Sequence, residues 1–274
     1  MSVNFSPDEY RNFQQFLEKA CGIVLGDNKH YLVSSRLNRL MKENNIPTLQ
    51  VLVDNLNKSS TSALRTKVIE AMTTNETLWF RDTYPFQILS QTIFEEFKQQ
   101  RKPSLRIWSA ACSSGQEPYS ISMIADEFSR RSGGLKVEVV ATDISQAILN
   151  EAKQAKYDAL ALARGLSEER KLQYFSPLGD QWQVNASIRS RVTFREANLL
   201  QSYSALGKFD VIYCRNVLIY FSAESKKDIL ARMAQSLNPR GFLLLGASES
   251  IAQYSDKFEM VRASSGVVYR LKAV

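Results

Sequence analysis

Glu117 stands two residues beyond Gly115 in Leu105–Tyr119, LRIWSAACSSGQEPY, and this junction holds most of the chemistry legible in the chain. The segment predicts an apolar strand, a turn of small residues and a helix opening on Gln116-Glu117-Pro118. In an open α/β sheet a nucleotide-like ligand lies at such a junction. Ala110, Ala111, Ser113, Ser114 and Gly115 let it approach the backbone closely. A phosphate avoids a carboxylate at the helix start, so the expected ligand carries hydroxyls or positive charge. Glu117 thus shifts the expectation from a dinucleotide to S-adenosylmethionine. A nicotinamide-dependent oxidoreductase needs a fuller G-x-G-x-x-G turn for its pyrophosphate.

Three further segments offer functional groups. Asp143 follows the run Val137–Thr142, where an acid can accept hydrogen bonds from two ribose hydroxyls; it can equally cap the next helix, as can Ser145. Phe209–Phe221, FDVIYCRNVLIYF, reads as a buried strand that ends in polar residues. Asn216 there faces the reactive end of a ligand, and Tyr220 either orients an acceptor group or is a core aromatic. Thr73–Asp82, TTNETLWFRD, is too dense in aromatic and polar residues for a plain linker. It reads as a loop over the site supplying Asn75, Thr77 and Arg81, or as the capping turn of a helix near 83–100.

These segments need a frame. The first 73 or so residues read as helices: Ser6-Pro7-Asp8-Glu9 is a capping box, Tyr10, Phe13, Leu17 and Ala20 recur at helical spacing, and Cys21-Gly22 is a stop. Further helices are expected at about 29–44, 48–57 and 61–72. From Leu105 strands (105–109, 137–142, 209–214, 242–245, 267–271) alternate with helices (116–131, 145–156, 167–174, 224–237). This alternation argues for a mostly parallel sheet covered on both faces. Gln181–Val184 and Val192–Arg195 read as short antiparallel strands of a small insertion spanning 173–197.

Composition narrows the classes. No apolar run approaches the roughly 20 residues that cross a bilayer, and the start MSVNFSPDEY lacks a signal-peptide pattern. Cys21, Cys112 and Cys214 are scattered and odd in number, as expected of reduced thiols in the cytoplasm. With one histidine and no cysteine pair at ligand spacing, no metal site is expected. The net charge of +7 favours polyanionic partners. Its densest stretch, Lys29–Lys42, places Arg36 and Arg39 one helical turn apart, either as a solvated face or as a dock for an acidic partner. The charge also raises a nucleic-acid methyltransferase as an alternative. However, Arg215-Asn216-Val217-Leu218 stands where base-amine methyltransferases carry an Asn/Asp-Pro-Pro-aromatic motif, and no aromatic-interleaved basic patch is evident.

Together, Asn75-Glu76-Thr77 with Phe80-Arg81, Ser109–Ser120 (SAACSSGQEPYS), Ala141–Ser145 (ATDIS), Asn198-Leu199 and Cys214–Phe221 (CRNVLIYF) resemble the CheR family of chemoreceptor glutamate methyltransferases. The resemblance spans nearly the whole chain. It implies a Rossmann-like doubly wound α/β methyltransferase sheet at 74–274, with the small β insertion, behind an all-helical receptor-recognition domain at 1–73. It implies S-adenosylmethionine as cofactor, S-adenosylhomocysteine as product, and no metal. Asn75, Thr77, Arg81 and Glu117 are implied around the methionine portion, Asp143 on the ribose, Asn198 and Leu199 at the adenine, and Arg215 and Asn216 on the floor. Arg81 and Tyr220 match the pair that positions the substrate carboxylate, and Arg36 and Arg39 fall on the helix that reads the receptor. The implied partner is the cytoplasmic helical domain of chemoreceptors, with no nucleic acid, no membrane insertion, and recruitment from the cytoplasm to membrane-bound receptor arrays. The short stretch Ser176–Asp180 resembles members that need no receptor pentapeptide tether. A non-catalytic receptor-binding module is the remaining alternative, and the joint presence of Glu117, Asp143, Asn216 and Tyr220 speaks against it.

Overall fold

A computed structural model describes residues 5–58 and 63–273. Helix α1 (Pro7–Cys21) begins at the expected capping box: the Ser6 hydroxyl accepts from the Glu9 amide at 3.2 Å, and the Glu9 carboxylate accepts from the Ser6 amide at 2.8 Å. It ends at Gly22, left-handed at φ +81°. Helices α2 (His30–Glu43), α3 (Leu49–Lys58) and α4 (Ala63–Met72) follow the expected pattern. Residues 61 and 62, expected in α4, lie outside the described residues. The apolar stripes of these helices, including Phe13, Leu17, Leu37, Leu52 and Val68, close into one core.

After a non-helical stretch over 73–83, a helical run comprises α5 (Tyr84–Ile88), a π turn (Leu89–Ile93) and α6 (Phe94–Gln99). The rest alternates: β1 (Ser104–Ala110), α7 (Gln116–Ser132), β2 (Lys136–Asp143), α8 (Gln146–Gln154), β3 (Lys156–Tyr157), α9 (Ala159–Ala163), α10 (Glu168–Tyr174), β4 (Phe175–Leu178), β5 (Gln181–Val184), α11 (Ala186–Arg189), β6 (Val192–Glu196), β7 (Phe209–Cys214), α12 (Ala223–Ser236), β8 (Leu237–Leu244), β9 (Phe258–Ala263) and β10 (Gly266–Leu271). The main sheet has the order β6-β2-β1-β7-β8-β10-β9. Its strands from β6 to β8 run parallel, whereas β10 is antiparallel to β8 and β9 to β10. Burial on both faces explains the near-continuous apolar runs. In β1, Leu105 and Ile107 enter the core on one face, while Trp108 and Ala110 enter the core on the other. The doubly wound α/β sheet, the helical N-terminal part and the small antiparallel sheet are thus all present.

The structure corrects three details. Val192–Arg195 is not an antiparallel strand of the insertion: β6 pairs in parallel with β2 at the edge of the main sheet. The small sheet is β3-β5-β4, and it recruits Lys156 and Tyr157 from ahead of the expected 173–197 span. Phe258–Ala263, unassigned from sequence, is the outer strand β9, half of whose residues are exposed and whose sequence shows no clean apolar alternation.

Strand order reverses between β2 and β7 on either side of β1, so a crevice opens at the carboxyl ends of these strands. The helical part is docked over that crevice. The Val24 amide donates to the Tyr220 carbonyl at 2.8 Å, the Asn198 side-chain amide donates to the Ala20 carbonyl at 2.8 Å, and the Ala147 amide donates to the Glu70 carboxylate at 2.9 Å. Gly22 is the tightest point, since a Cβ there falls 2.2 Å from the Phe221 ring. Gly22→Ala is therefore expected to lose the roughly 1–2 kcal/mol of the left-handed conformation and more for the displaced ring. Urea denaturation measures it, and a loss below about 0.5 kcal/mol contradicts this account of the docking.

Candidate functional site

A cavity of about 250 Å³ lies between the helical part and the carboxyl edge of the sheet. Its wall brings together Asn75, Thr77 and Arg81 from the 73–83 stretch, Glu117 from α7, Asp143 from the end of β2, Asn198 and Leu199 after β6, and Arg215, Asn216 and Tyr220 after β7. Arg36 also reaches it from α2.

Each position has a local cause. Gly115, at φ +94°, lets the chain turn from β1 into α7. A Cβ there sits 3.1 Å from both Ala152 Cβ and the Tyr157 hydroxyl, so the turn has no spare room. Ala111 and Ser113 also take positive φ, at 59° and 51°. This strained turn delivers the Ser113 amide to Asp143 Oδ2 at 2.9 Å, while Asp143 Oδ1 accepts from the Ser145 amide at 3.1 Å. Each carboxylate oxygen keeps acceptor capacity for a hydroxyl. Asp143 is buried, and that burial raises its pKa above the usual carboxylate value against the three backbone amides that lower it. The cap of α8 is made by Ser145, whose hydroxyl accepts from the Ile148 amide at 3.2 Å.

Glu117 and Arg215 form the floor. Arg215, buried to 6% exposure, donates to Glu117 at 2.9 Å, to Asp82 at 2.8 Å and to the Arg81 carbonyl at 2.6 Å. Burial works against its charge, but attraction to Glu117, the hydrogen bond to it and Asp82 together raise its pKa. Glu117 also accepts from the Ser109 hydroxyl at 2.7 Å. One guanidinium thus faces two carboxylates, so this cluster is net anionic, which suits a cationic ligand. Arg215 Nε is buried without a partner, a donor left over in this network.

Arg81 and Tyr220 are among the lightly committed groups on the wall. Arg81 forms no ion pair among the described residues, and its guanidinium makes a single 3.3 Å donation, to the Glu76 carbonyl. The Tyr220 hydroxyl likewise has no partner among the described residues, although its backbone is fixed at both ends. A cation and a phenol free to turn toward an incoming group can hold a carboxylate. Competing nucleophiles are suppressed. Cys21 and Cys112 both line the cavity, and burial pushes Cys21 up to about 11 and Cys112 well above the ordinary thiol value.

Arg36 does not stand outward as a docking cation. Its guanidinium donates to the Met72 and Thr73 carbonyls at 2.7 and 3.0 Å and to the Thr74 hydroxyl at 3.1 Å, capping the carboxyl end of α4. Arg39 lies outside the cavity, exposed and paired at 2.7 Å with Glu43. Sequence reasoning missed Asp82, Glu70 and Glu249, acids that bind a guanidinium or backbone amides far away in the chain. Among the described residues no helix is long and apolar enough to cross a membrane, and no cluster of ligating side chains could hold a metal ion.

Comparison with known proteins accords with this architecture. Residues 75–267 match the family model described as the CheR methyltransferase SAM-binding domain, and residues 8–73 match that of the CheR methyltransferase all-alpha domain. The chain is 55% identical to chemotaxis protein methyltransferase Cher2 of Pseudomonas putida over 269 residues, 96% of this chain and 98% of that protein. It is 55% identical to chemotaxis protein methyltransferase 1 of Pseudomonas aeruginosa, with the same coverage. It is 50% identical to the chemotaxis protein methyltransferase of Vibrio parahaemolyticus over 99% of both chains. The chain therefore belongs to the CheR methyltransferases, S-adenosylmethionine-dependent enzymes of chemotaxis.

Proposed function

We propose that the chain methylates glutamate side chains on the cytoplasmic helical domain of bacterial chemoreceptors, acting in the cytoplasm at receptor arrays. The observation that carries this reading is the presence in one cavity of a cation without an ion pair, Arg81, a phenol without a hydrogen-bond partner, Tyr220, and the buried acceptor Asp143. Residues 74–274 then form the catalytic domain, and residues 1–73 the receptor-recognition domain that also roofs the cavity.

The wall suits S-adenosylmethionine. Asp143 has an acceptor for each ribose hydroxyl, Asn198 and Leu199 flank the adenine, Asn75 and Thr77 border the methionine portion, and Glu117 with Asp82 offsets its positive charge. Bound there, S-adenosylmethionine supplies a methyl group on a sulfonium; the methyl–sulfur bond breaks as the carboxylate oxygen–carbon bond forms, leaving S-adenosylhomocysteine. The acceptor glutamate, with an ordinary pKa near 4.3, is ionised at neutral pH, so no base is required. The chain's own task is alignment. Arg81 holds one carboxylate oxygen by a charge-assisted bond and Tyr220 fixes the second. Because anion meets cation, excluding water under the helical roof strengthens their attraction.

Transfer of labelled methyl from S-adenosylmethionine to receptor cytoplasmic fragments tests the reading. The expected product is a base-labile ester, formed equally with and without the receptor's terminal pentapeptide, because only Gly179 and Asp180 join β4 to β5. Label in RNA rather than in receptor would favour nucleic-acid methylation. No label anywhere, with no cofactor binding, would favour a non-catalytic binding module.

A further inference from the structure

Glu249 lies in the loop after β8 and does not line the cavity, yet its carboxylate gathers three backbone amides. Oε2 accepts from Asn216 at 2.6 Å and from Gly246 at 2.9 Å, and Oε1 accepts from Val217 at 3.1 Å. The donors sit just beyond the carboxyl ends of the adjacent strands β7 and β8, so one side chain ties the two strand ends together. The approach is close: a Cβ on Gly246 would fall 2.6 Å from Asn216 Nδ2 and 2.9 Å from Glu249 Oε2. Asn216 itself is left-handed at φ +57°, a conformation that asparagine tolerates better than other non-glycine residues.

The held turn leads directly to Tyr220. The Tyr220 amide donates to the Val217 carbonyl at 3.2 Å, closing the 3₁₀ turn Leu218–Tyr220. Val217 is thus gripped by Glu249 through its N–H and by Tyr220 through its C=O. Leu218 and Phe221 are buried on either side, and Ile251 anchors the chain just past Glu249 at 1% exposure.

We propose that Glu249 is a positioning residue for methyl transfer, its carboxylate fixing the turn that presents Tyr220 to the acceptor carboxylate. The inference rests on the reading of Tyr220 given above. A carboxylate suits the task because it offers acceptors only and can serve three donors at once. Glutamine keeps one acceptor oxygen, enough for Asn216 and Gly246, but turns its amide donors toward the Val217 N–H. A displacement of about 1 Å at a reacting group costs up to about a hundredfold in rate.

The test measures kcat and the KM for S-adenosylmethionine in the full chain, with a receptor cytoplasmic fragment as acceptor. The variants are Glu249→Ala, Glu249→Gln, Tyr220→Phe and the doubles of each Glu249 variant with Tyr220→Phe. Glu249→Ala is expected to lower kcat by about 10–100-fold with a much smaller change in KM, and Glu249→Gln to lose less. Each double is expected to fall within about twofold of Tyr220→Phe alone, because the lost positioning has nothing left to position. Losses that multiply, a Tyr220→Phe enzyme at full kcat, or Glu249→Ala at full kcat each overturn the inference. Should Glu249→Ala not fold, as its melting curve shows, Glu249→Gln and its double decide in the same way. An inactive unaltered chain sinks the functional reading, and this inference with it; an active one beside a fully active Glu249 variant sinks this inference alone.

Discussion

Arg81→Ala is expected to lower methyl-transfer turnover by about 10²–10³-fold while S-adenosylmethionine affinity falls by less than about tenfold. The reasoning starts from what Arg81 lacks. The other two arginines of the site are committed: Arg215 to Glu117 and Asp82, Arg36 to the carbonyls closing α4. Arg81 has only a long bond to the Glu76 carbonyl. Its charge is therefore available to an incoming carboxylate, and it counts most when that carboxylate is held in line with the methyl. Binding that is equally strong before and during transfer adds nothing to the rate, so a moderate grip is the useful one. Lysine should restore only part of the loss, keeping the charge but not the planar fork. Single-turnover rates and calorimetric cofactor affinity measure both quantities, and equal losses in the two would reassign Arg81 to the cofactor.

Asp143→Asn is expected to show the reverse split, with cofactor affinity falling by about 10²–10³-fold. Both carboxylate oxygens already accept backbone amides, from Ser113 and Ser145, and both retain an acceptor site for ribose. Asparagine keeps the shape but puts a donor against one of these amides and one of the hydroxyls. The pH dependence has a definite sign. Burial raises the pKa of Asp143, so it takes up a proton at a pH above the usual carboxylate range. In the cofactor-free protein the stability tied to this group is complete below its unfolded pKa and is lost as pH rises through the folded one. The charged form therefore carries a burial cost at neutral pH, which ribose hydroxyls offset on binding. Affinity in the unaltered chain should fall as pH drops through the raised value, whereas Asp143→Asn should be flat there. Calorimetry across an acidic pH series reads this, and parallel profiles for the two proteins would remove Asp143 from the ribose site.

Much of the frame was legible because it is local. The capping box at Ser6 needs only residues within one helical turn, and the run Phe209–Cys214, apolar but for Asp210, has the length and composition of a strand buried on both faces. The cavity wall was legible because glycine and small residues at the end of β1, an acid at the end of β2 and polar residues after β7 mark a single sheet edge. What escaped notice depends on partners distant in sequence. β6 has the length and polarity of a hairpin strand, and only its pairing with β2 reveals it as part of the main sheet. Arg36 read as a charge on a helix face, yet its acceptors are carbonyls that exist only once α4 ends beside α2. Nothing local marks Glu70 or Glu249, whose donors are the Ser145 hydroxyl and Ala147 amide for the first and the Asn216, Val217 and Gly246 amides for the second.

The central claim places an adenosyl sulfonium beneath the helical roof, its ribose on Asp143 and its methyl toward Arg81 and Tyr220. The most direct measurement is a crystal structure of the chain grown with S-adenosylhomocysteine. The account predicts both ribose hydroxyls within hydrogen-bond distance of the Asp143 carboxylate, and the sulfur facing the Arg81–Tyr220 side of the cavity. A nucleoside bound elsewhere on the chain, or one lying in the cavity with its ribose away from Asp143, would contradict it.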